Sequence, residues 1–237
     1  ARLCIDLGSI RSKYDCLLGA NPHPEVPVDR HVLAKRARVW VNADGFLSPL
    51  DGRNLVDFCP GPPASWRFVA NAGDGRCVEV QLRAGMVEGA NTTVLGFHRP
   101  TQAPPRGRPL PEDSAVSLTV RVDLEDRNFH WETHRNGGAD HHFATHTRTL
   151  ADRAGFRFAP GEERALEVSS SAGLYHPEPE WCEGIPHPVE ASRGQADRGD
   201  AFSPGWFELP LAAGDTVLLV ATAETAPPTA AQLDQAS

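Results

Sequence analysis

Lysine is nearly absent from this chain: Lys13 and Lys35 are the only two, and arginine supplies the rest of the positive charge. That bias reads as genome composition, not as function. Methionine is rarer still, with Met86 alone; because Ala1 opens directly on a strand-like run, the expectation is that the start was trimmed. Five cysteines, Cys4, Cys16, Cys59, Cys77 and Cys182, are scattered without a CxxC pair. An odd, dispersed set in a chain of this length does not describe a disulfide scaffold, so a reducing, cytoplasmic setting is expected. No run approaches the length of a membrane span and no signal-peptide pattern opens the chain, so no membrane partner is expected. The formal net charge of −8 excludes attraction to a polyanion and with it a nucleic-acid partner. No period of 20 to 50 residues shows, which disfavours a propeller.

What is present is strand after strand. Val116, Leu118, Val120, Val122 and Leu124 alternate with Ser117, Thr119, Arg121 and Asp123, the period of two that buries one sheet face. Leu3, Ile5 and Leu7 alternate before Gly8, and Lys13 to Leu18 leads into a proline-rich loop, Asn21 to Pro27. Val32 to Val41 and Phe46-Leu47 flank an Asp44-Gly45 turn. Asp51-Gly52 marks another turn, and Trp66 to Ala70 and Cys77 to Leu82 flank Asp74-Gly75. Asn91 to His98 is rich in strand formers. Thr101 to Pro111 reads as an exposed loop rather than a domain boundary. Later segments are Gly155 to Phe158, Ala165 to Val168, a turn-rich span from Tyr175 to Asp200, and a last hairpin of Trp206 to Leu211 with Thr216 to Ala221. Thr229 can cap a helix-permissive run ending at Ala236. The pattern predicts an all-β fold with few helices, two stacked antiparallel sheets.

Residues 129–147 hold five histidines around Asn136-Gly137-Gly138-Ala139-Asp140. Paired glycines predict a β-hairpin that sets Phe129, Trp131 and Thr133 against Phe143, Thr145 and Thr147. The same register opposes His134 to His142 and His130 to His146, with Glu132 between them. Two opposed imidazoles can reach one zinc. With no cysteine nearby and no tight motif spacing, the favoured reading is hydrogen bonding or packing without a metal or other cofactor.

Several segments carry a resemblance. Lys13-Tyr14-Asp15-Cys16-Leu17-Leu18 resembles the basic-Tyr-His-Gly-Leu-Leu segment of glycogen debranching enzymes of the amylo-α-1,6-glucosidase type, with Asp15 and Cys16 replacing His and Gly. Asn91-Thr92-Thr93-Val94 resembles that family's Asn-Thr-Thr-Val strand. Arg127-Asn128-Phe129-His130 with Thr133-His134 is similar to its Arg-Asp-aromatic-His segment and following Thr-His. Arg193-Gly194 and Asp200-Ala201-Phe202-Ser203-Pro204-Gly205 are similar to its Arg-Gly element and acidic-x-Phe-Ser-Pro-Gly turn.

The resemblance implies the N-terminal domain of such an enzyme: a large β-supersandwich of galactose mutarotase type over residues 1–222. Residues 223–237 would then be a linker toward an (α/α)6 barrel that carries the glycoside hydrolase carboxylates. The implied partners are α-glucan, as glycogen or limit dextrin, and that C-terminal helical barrel. The chain alone is expected to lack hydrolase activity. Sugars stack on aromatic rings and need polar partners for their hydroxyls, so Trp131 with His130 and His134, and Trp181 near Tyr175 and Glu180, are the candidate substrate-binding residues. Arg127 is the candidate that orders their loop. Two alternatives stay open: a stand-alone mutarotase-like enzyme using paired histidines and Glu132 as acid and base, and a metal-binding cupin-like sandwich.

Overall fold

The computed structural model describes residues 1–23, 25 and 29–237. The first strands are β1 (Leu18–Ala20), β2 (His31–Ala43), β3 (Phe46–Pro49) and β4 (Leu55–Cys59). β5 (Ala64–Asn71), β6 (Arg76–Met86) and β7 (Thr92–His98) follow, then the two-residue β8 (Arg108–Pro109) and the long β9 (Val116–Asn128). Helix α1 (Gly137–His146) leads to β10 (Thr147–Thr149), β11 (Gly155–Phe158), β12 (Leu166–Ser170) and β13 (Leu174–His176). β14 (Glu180–Pro186), α2 (Pro188–Ala191), β15 (Arg198–Ser203), β16 (Trp206–Pro210), β17 (Thr216–Thr222) and α3 (Ala230–Ala236) complete the order. No helix among the described residues is long and apolar enough to cross a membrane.

The strands form an all-β sandwich. One sheet of eight strands runs β1-β2-β9-β15-β14, with β3 on β2 and β16 bridging β9 and β13. The other, of nine, runs β10-β11-β12-β17-β7-β6-β5-β4, with β8 joined in parallel to β6 and every other pair antiparallel. Their inner faces share one core: Val39, Leu118, Val120, Leu124 and Phe207 from the first sheet meet Phe68, Leu82, Phe97, Phe158 and Leu219 from the second. The alternation of β9 is realised, with Leu118, Val120 and Leu124 at 0 % exposure. Asp44 and Gly45, and Asp74 and Gly75, all adopt positive φ, the left-handed pair that closes two-residue hairpins without splaying the strands.

Four expectations need correction. Residues 3–7 form no strand; Asp6 and Gly8 instead build a turn in which Ser9 donates to Asp6, and Ile5 is exposed. β16 and β17 are not a hairpin, because they lie in different sheets and the turn at Ala212–Asp215 carries the chain from one to the other. The turn-rich span contains β13, β14, α2 and part of β15. The histidine hairpin is a helix. Asn136 is its N-cap and accepts from Ala139 N at 3.0 Å, and Asp140 sits in the first turn, where a carboxylate is favoured by the helix dipole. Gly137 and Gly138 are poor helix formers, but they occupy the first turn, where capping and the burial of Phe143 outweigh propensity. The loop from Asn21 to Pro27 lies partly outside the described residues.

Candidate loop site braced by buried charge

Three of the resembling segments, far apart in sequence, converge on one loop, residues 128–136 between β9 and α1. The outer face of the first sheet would normally be solvated, yet beside β9 it is roofed by residues 1–17 and by α2. Asp123, Glu125, Lys35, Arg127 and Glu190 are buried there. Burial of so many ionised groups is tolerable only if each is paired and hydrogen-bonded.

The pairing is thorough. Arg127 reaches Glu125 Oε2 at 2.8 Å and donates to the carbonyls of Phe129 (2.9 Å) and Lys13 (2.7 Å). Lys35 Nζ donates to the same Lys13 carbonyl at 2.7 Å and stands 3.8 Å from Glu125. Burial pulls the Lys35 ammonium below its ordinary pKa, with Glu125 opposing. Lys13 Nζ donates to His130 O at 2.7 Å and to Glu132 Oε1 at 2.8 Å. Glu190 accepts from the Ser12 hydroxyl (2.7 Å) and Lys13 N (2.9 Å); burial pushes its carboxyl up, but these donors hold it below the usual range. Asp15 accepts from the N–H groups of Arg11 and Ser12 and pairs with Arg2 at 3.0 Å. Downstream, Asp200 N donates to Thr133 O, and Asp200 accepts from Arg135 N and Gly184 N, each at 2.8 Å. The loop is thus fastened at Phe129, His130, Glu132, Thr133 and Arg135.

Beneath it, His187 is 1 % exposed, and neither ring nitrogen has a partner among the described residues. Burial, reinforced by the charges of Lys35 and Arg127 against those of Glu190 and Glu132, lowers its pKa to about 4, so the ring is neutral near pH 7.

On top of this frame lie the aromatics. Tyr14 and Phe129 rings are 4.9 Å apart, and Tyr14 shares a 3.2 Å hydrogen bond with His130 Nδ1. Trp131 is 70 % exposed, the most exposed large apolar side chain described. His134 is exposed, 4.0 Å from Asp200. Arg127, 4 % exposed, lies under the loop and not on its surface. Trp181 stands apart on β14, half-buried, edge-on to Phe143 and Phe202, with the Arg135 guanidinium 6.0 Å over its ring. The structure therefore ties His130 and Arg127 into the frame of the loop that carries Trp131, and among the described residues Trp181 meets that loop through Arg135.

The predicted histidine pairs do not exist. His142 and His146 stand one turn apart on α1 with rings 4.9 Å apart, and Glu132 is engaged by Lys13. His142 instead donates to Asp126 at 2.9 Å, as do His31 at 2.6 Å and Arg164 at 3.1 Å. Burial raises the Asp126 pKa, but these donors outweigh it and hold the carboxyl far below its ordinary value. Among the described residues no group of three or more His, Cys, Asp or Glu is placed to hold a metal ion. The residues that sequence reasoning missed are Lys13, Lys35, Glu125, His187 and Glu190. One signal existed: the only two lysines of the chain are both in this network.

Comparison with known proteins adds the following. Residues 6–218 match the family model described as glycogen debranching enzyme N terminal. No curated protein matches the sequence. Among solved structures, a bacterial glucoamylase crystallised with acarbose is similar at 8 % identity and a TM-score of 0.43; the match covers 100 % of this chain and 34 % of that one.

Proposed function

This chain belongs to the glycogen debranching enzyme N-terminal family, and from that premise we propose that it is a non-catalytic β domain that positions α-glucan, as glycogen or limit dextrin, for a glycoside hydrolase barrel. The barrel would be a C-terminal helical domain of the same cytoplasmic protein, and the chemistry would belong to its carboxylates. One observation carries the reading: Trp131 is held 70 % exposed on a loop pinned by the half-buried Lys13–Glu132 pair and the buried Arg127–Glu125 pair. A large indole presented to solvent on a rigid support is a low-entropy contact surface, suited to the apolar face of a sugar or to a partner domain. In this scheme Trp131, His130 and His134 make the contacts, and Arg127 positions them from below. Residues 223–237 would lead toward the barrel.

The test is retention of the purified chain in a glycogen-containing native gel. Wild type is expected to be retarded and Trp131→Ala to run freely at an unchanged unfolding midpoint. Equal mobility of the two proteins, with or without glycogen, would remove Trp131 from glucan positioning. Release of glucose from limit dextrin by the chain alone would overturn the non-catalytic assignment.

A further inference from the structure

β10 is the last strand of the nine-stranded sheet, and among the described residues it pairs with β11 alone, through Thr147–Phe158, Arg148–Arg157 and Thr149–Phe156. On either side of these pairs, Leu150 N donates to Gly155 O and Ala159 N to His146 O. Hydrogen-bonded pairs alternate along an antiparallel ladder, so the backbone of Arg148 faces β11 and that of Thr149 faces away from it. The Thr149 N–H and carbonyl and the Thr147 carbonyl therefore point off the sheet. Among the described residues none of the three has a partner.

Beyond that edge lies an open groove of about 480 Å³. β10 forms one wall, and the approach to β14 through Pro177 and Pro179 forms the other. Proline has no N–H, so the facing chain cannot donate to the β10 carbonyls from those positions. A row of unpaired backbone groups beside an open groove is a template for one more strand.

Charge selects the kind of strand. Arg148, Arg157 and Glu167 stand in one row across β10, β11 and β12. Glu167 is held by Arg153 at 2.5 Å and lies 3.6 Å from Arg157, and Arg153 also stands 3.8 Å from Asp152. Three arginines thus share two carboxylates, and the exposed Arg148 is the one with none among the described residues. The carboxylates of the groove are committed elsewhere, Asp140 to Arg135 at 3.3 Å and Glu180 to Arg38 at 2.6 Å. Opposite charges on neighbouring strands stabilise a sheet and like charges destabilise it. A second copy of β10 would set Arg148 against Arg148, whereas a carboxylate at that place completes the row. We propose that the open edge of β10 docks an extended acidic segment of a partner polypeptide, which joins the nine-stranded sheet as an added strand with a carboxylate opposite Arg148. The site stands apart from glucan positioning and uses neither Trp131 nor Trp181.

The experiment is protein-observed NMR of the 237-residue chain titrated with a synthetic peptide of about ten residues that alternates valine with glutamate. The Thr149 amide signal is expected to shift with saturation and to exchange with solvent more slowly, because its N–H gains a carbonyl partner. Arg148→Glu should weaken the affinity by about tenfold and Arg148→Ala by about threefold. The Arg148 side chain has no partner to lose among the described residues, so both variants keep the fold. A peptide with lysine in place of glutamate should fail to bind, as should one with proline in place of valine, which brings no N–H to the edge. A Thr149 amide that neither shifts nor slows, or an Arg148→Glu protein that binds like wild type, overturns the site. Equal binding of the proline peptide would rule out strand addition, and equal binding of the lysine peptide would rule out the acidic class. A Thr149 signal that moves with protein concentration alone would give the edge to a second copy and remove the acidic partner.

Discussion

Both sheets of the sandwich bury part of their outer faces, and they do so with opposite chemistry. On the nine-stranded sheet, α3 lies over a small apolar cluster of Val87, Val94, Val220 and Ala236, with Leu218 and Leu233 at its margin. Gly85 makes the approach possible: a Cβ there would clash with the Ala236 carbonyl oxygen. On the eight-stranded sheet the cover is ionic, with Lys35, Glu125, Arg127, Lys13 and Glu190 under the 128–136 loop. Apolar contact is non-directional, so it holds α3 down without dictating where each atom goes. Ion pairs and hydrogen bonds are directional, and in a buried setting they penalise every arrangement but one. The device that specifies geometry sits under the loop that presents Trp131.

That contrast can be attacked at either end. The largest effect is expected from Arg127→Met, which among the described residues leaves Glu125 paired only by a 3.8 Å contact to Lys35, frees the Phe129 carbonyl and leaves the Lys13 carbonyl to Lys35 alone. The loss should be about 3–5 kcal/mol in urea unfolding. A loss under about 1 kcal/mol would mean the network does not brace the loop.

Next is an acid effect. His187 has a folded pKa of about 4, below its ordinary 6.5, so the folded state resists its protonation. Its contribution is complete above pH 6.5 and declines as pH falls from 6.5 toward 4, by about 3 kcal/mol in all. Unfolding free energies at pH 7 and 4.5 should differ less in His187→Gln than in wild type. An identical pH dependence would show that the ring is hydrated or paired in solution.

Gly85→Val should cost less, about 1–3 kcal/mol, by prising α3 from the sheet. Faster amide exchange confined to residues 230–236, with the loop unchanged, is the expected pattern. Spread of the effect to residues 128–136 would dissolve the distinction between the two covers. The smallest change in stability, within about 0.5 kcal/mol, is expected from Trp131→Ala, because its side chain is mostly in water. If that substitution destabilises strongly, Trp131 packs in solution and is not a presented contact.

Most strands and the two Asp-Gly hairpins could be read directly because their signals are local. Alternation in β9 and the Asp44-Gly45 and Asp74-Gly75 turns need only neighbouring residues. The C-terminal helix was equally legible, with a capping box formed by Thr229 and Gln232. Helix α1 was not, because Asn136-Gly137-Gly138 serves a hairpin turn or a helix start equally well in sequence. Burial of Phe143 against Phe158, Phe202 and Trp181 decides between them, and those partners come from distant strands. For the same reason Lys13 and Lys35 passed as a compositional accident: nothing adjacent in the chain marks a lysine as buried.

The amino-acid sequence by itself determined the all-β class, most strand positions, the turn chemistry and the family, since each rests on short-range patterning or on ordered motifs. Only the tertiary structure decided which side chains the loop shares. The ionic brace joins residues up to 178 positions apart, such as Ser12 with Glu190, and an electrostatic pair depends on distance in space, not on separation along the chain.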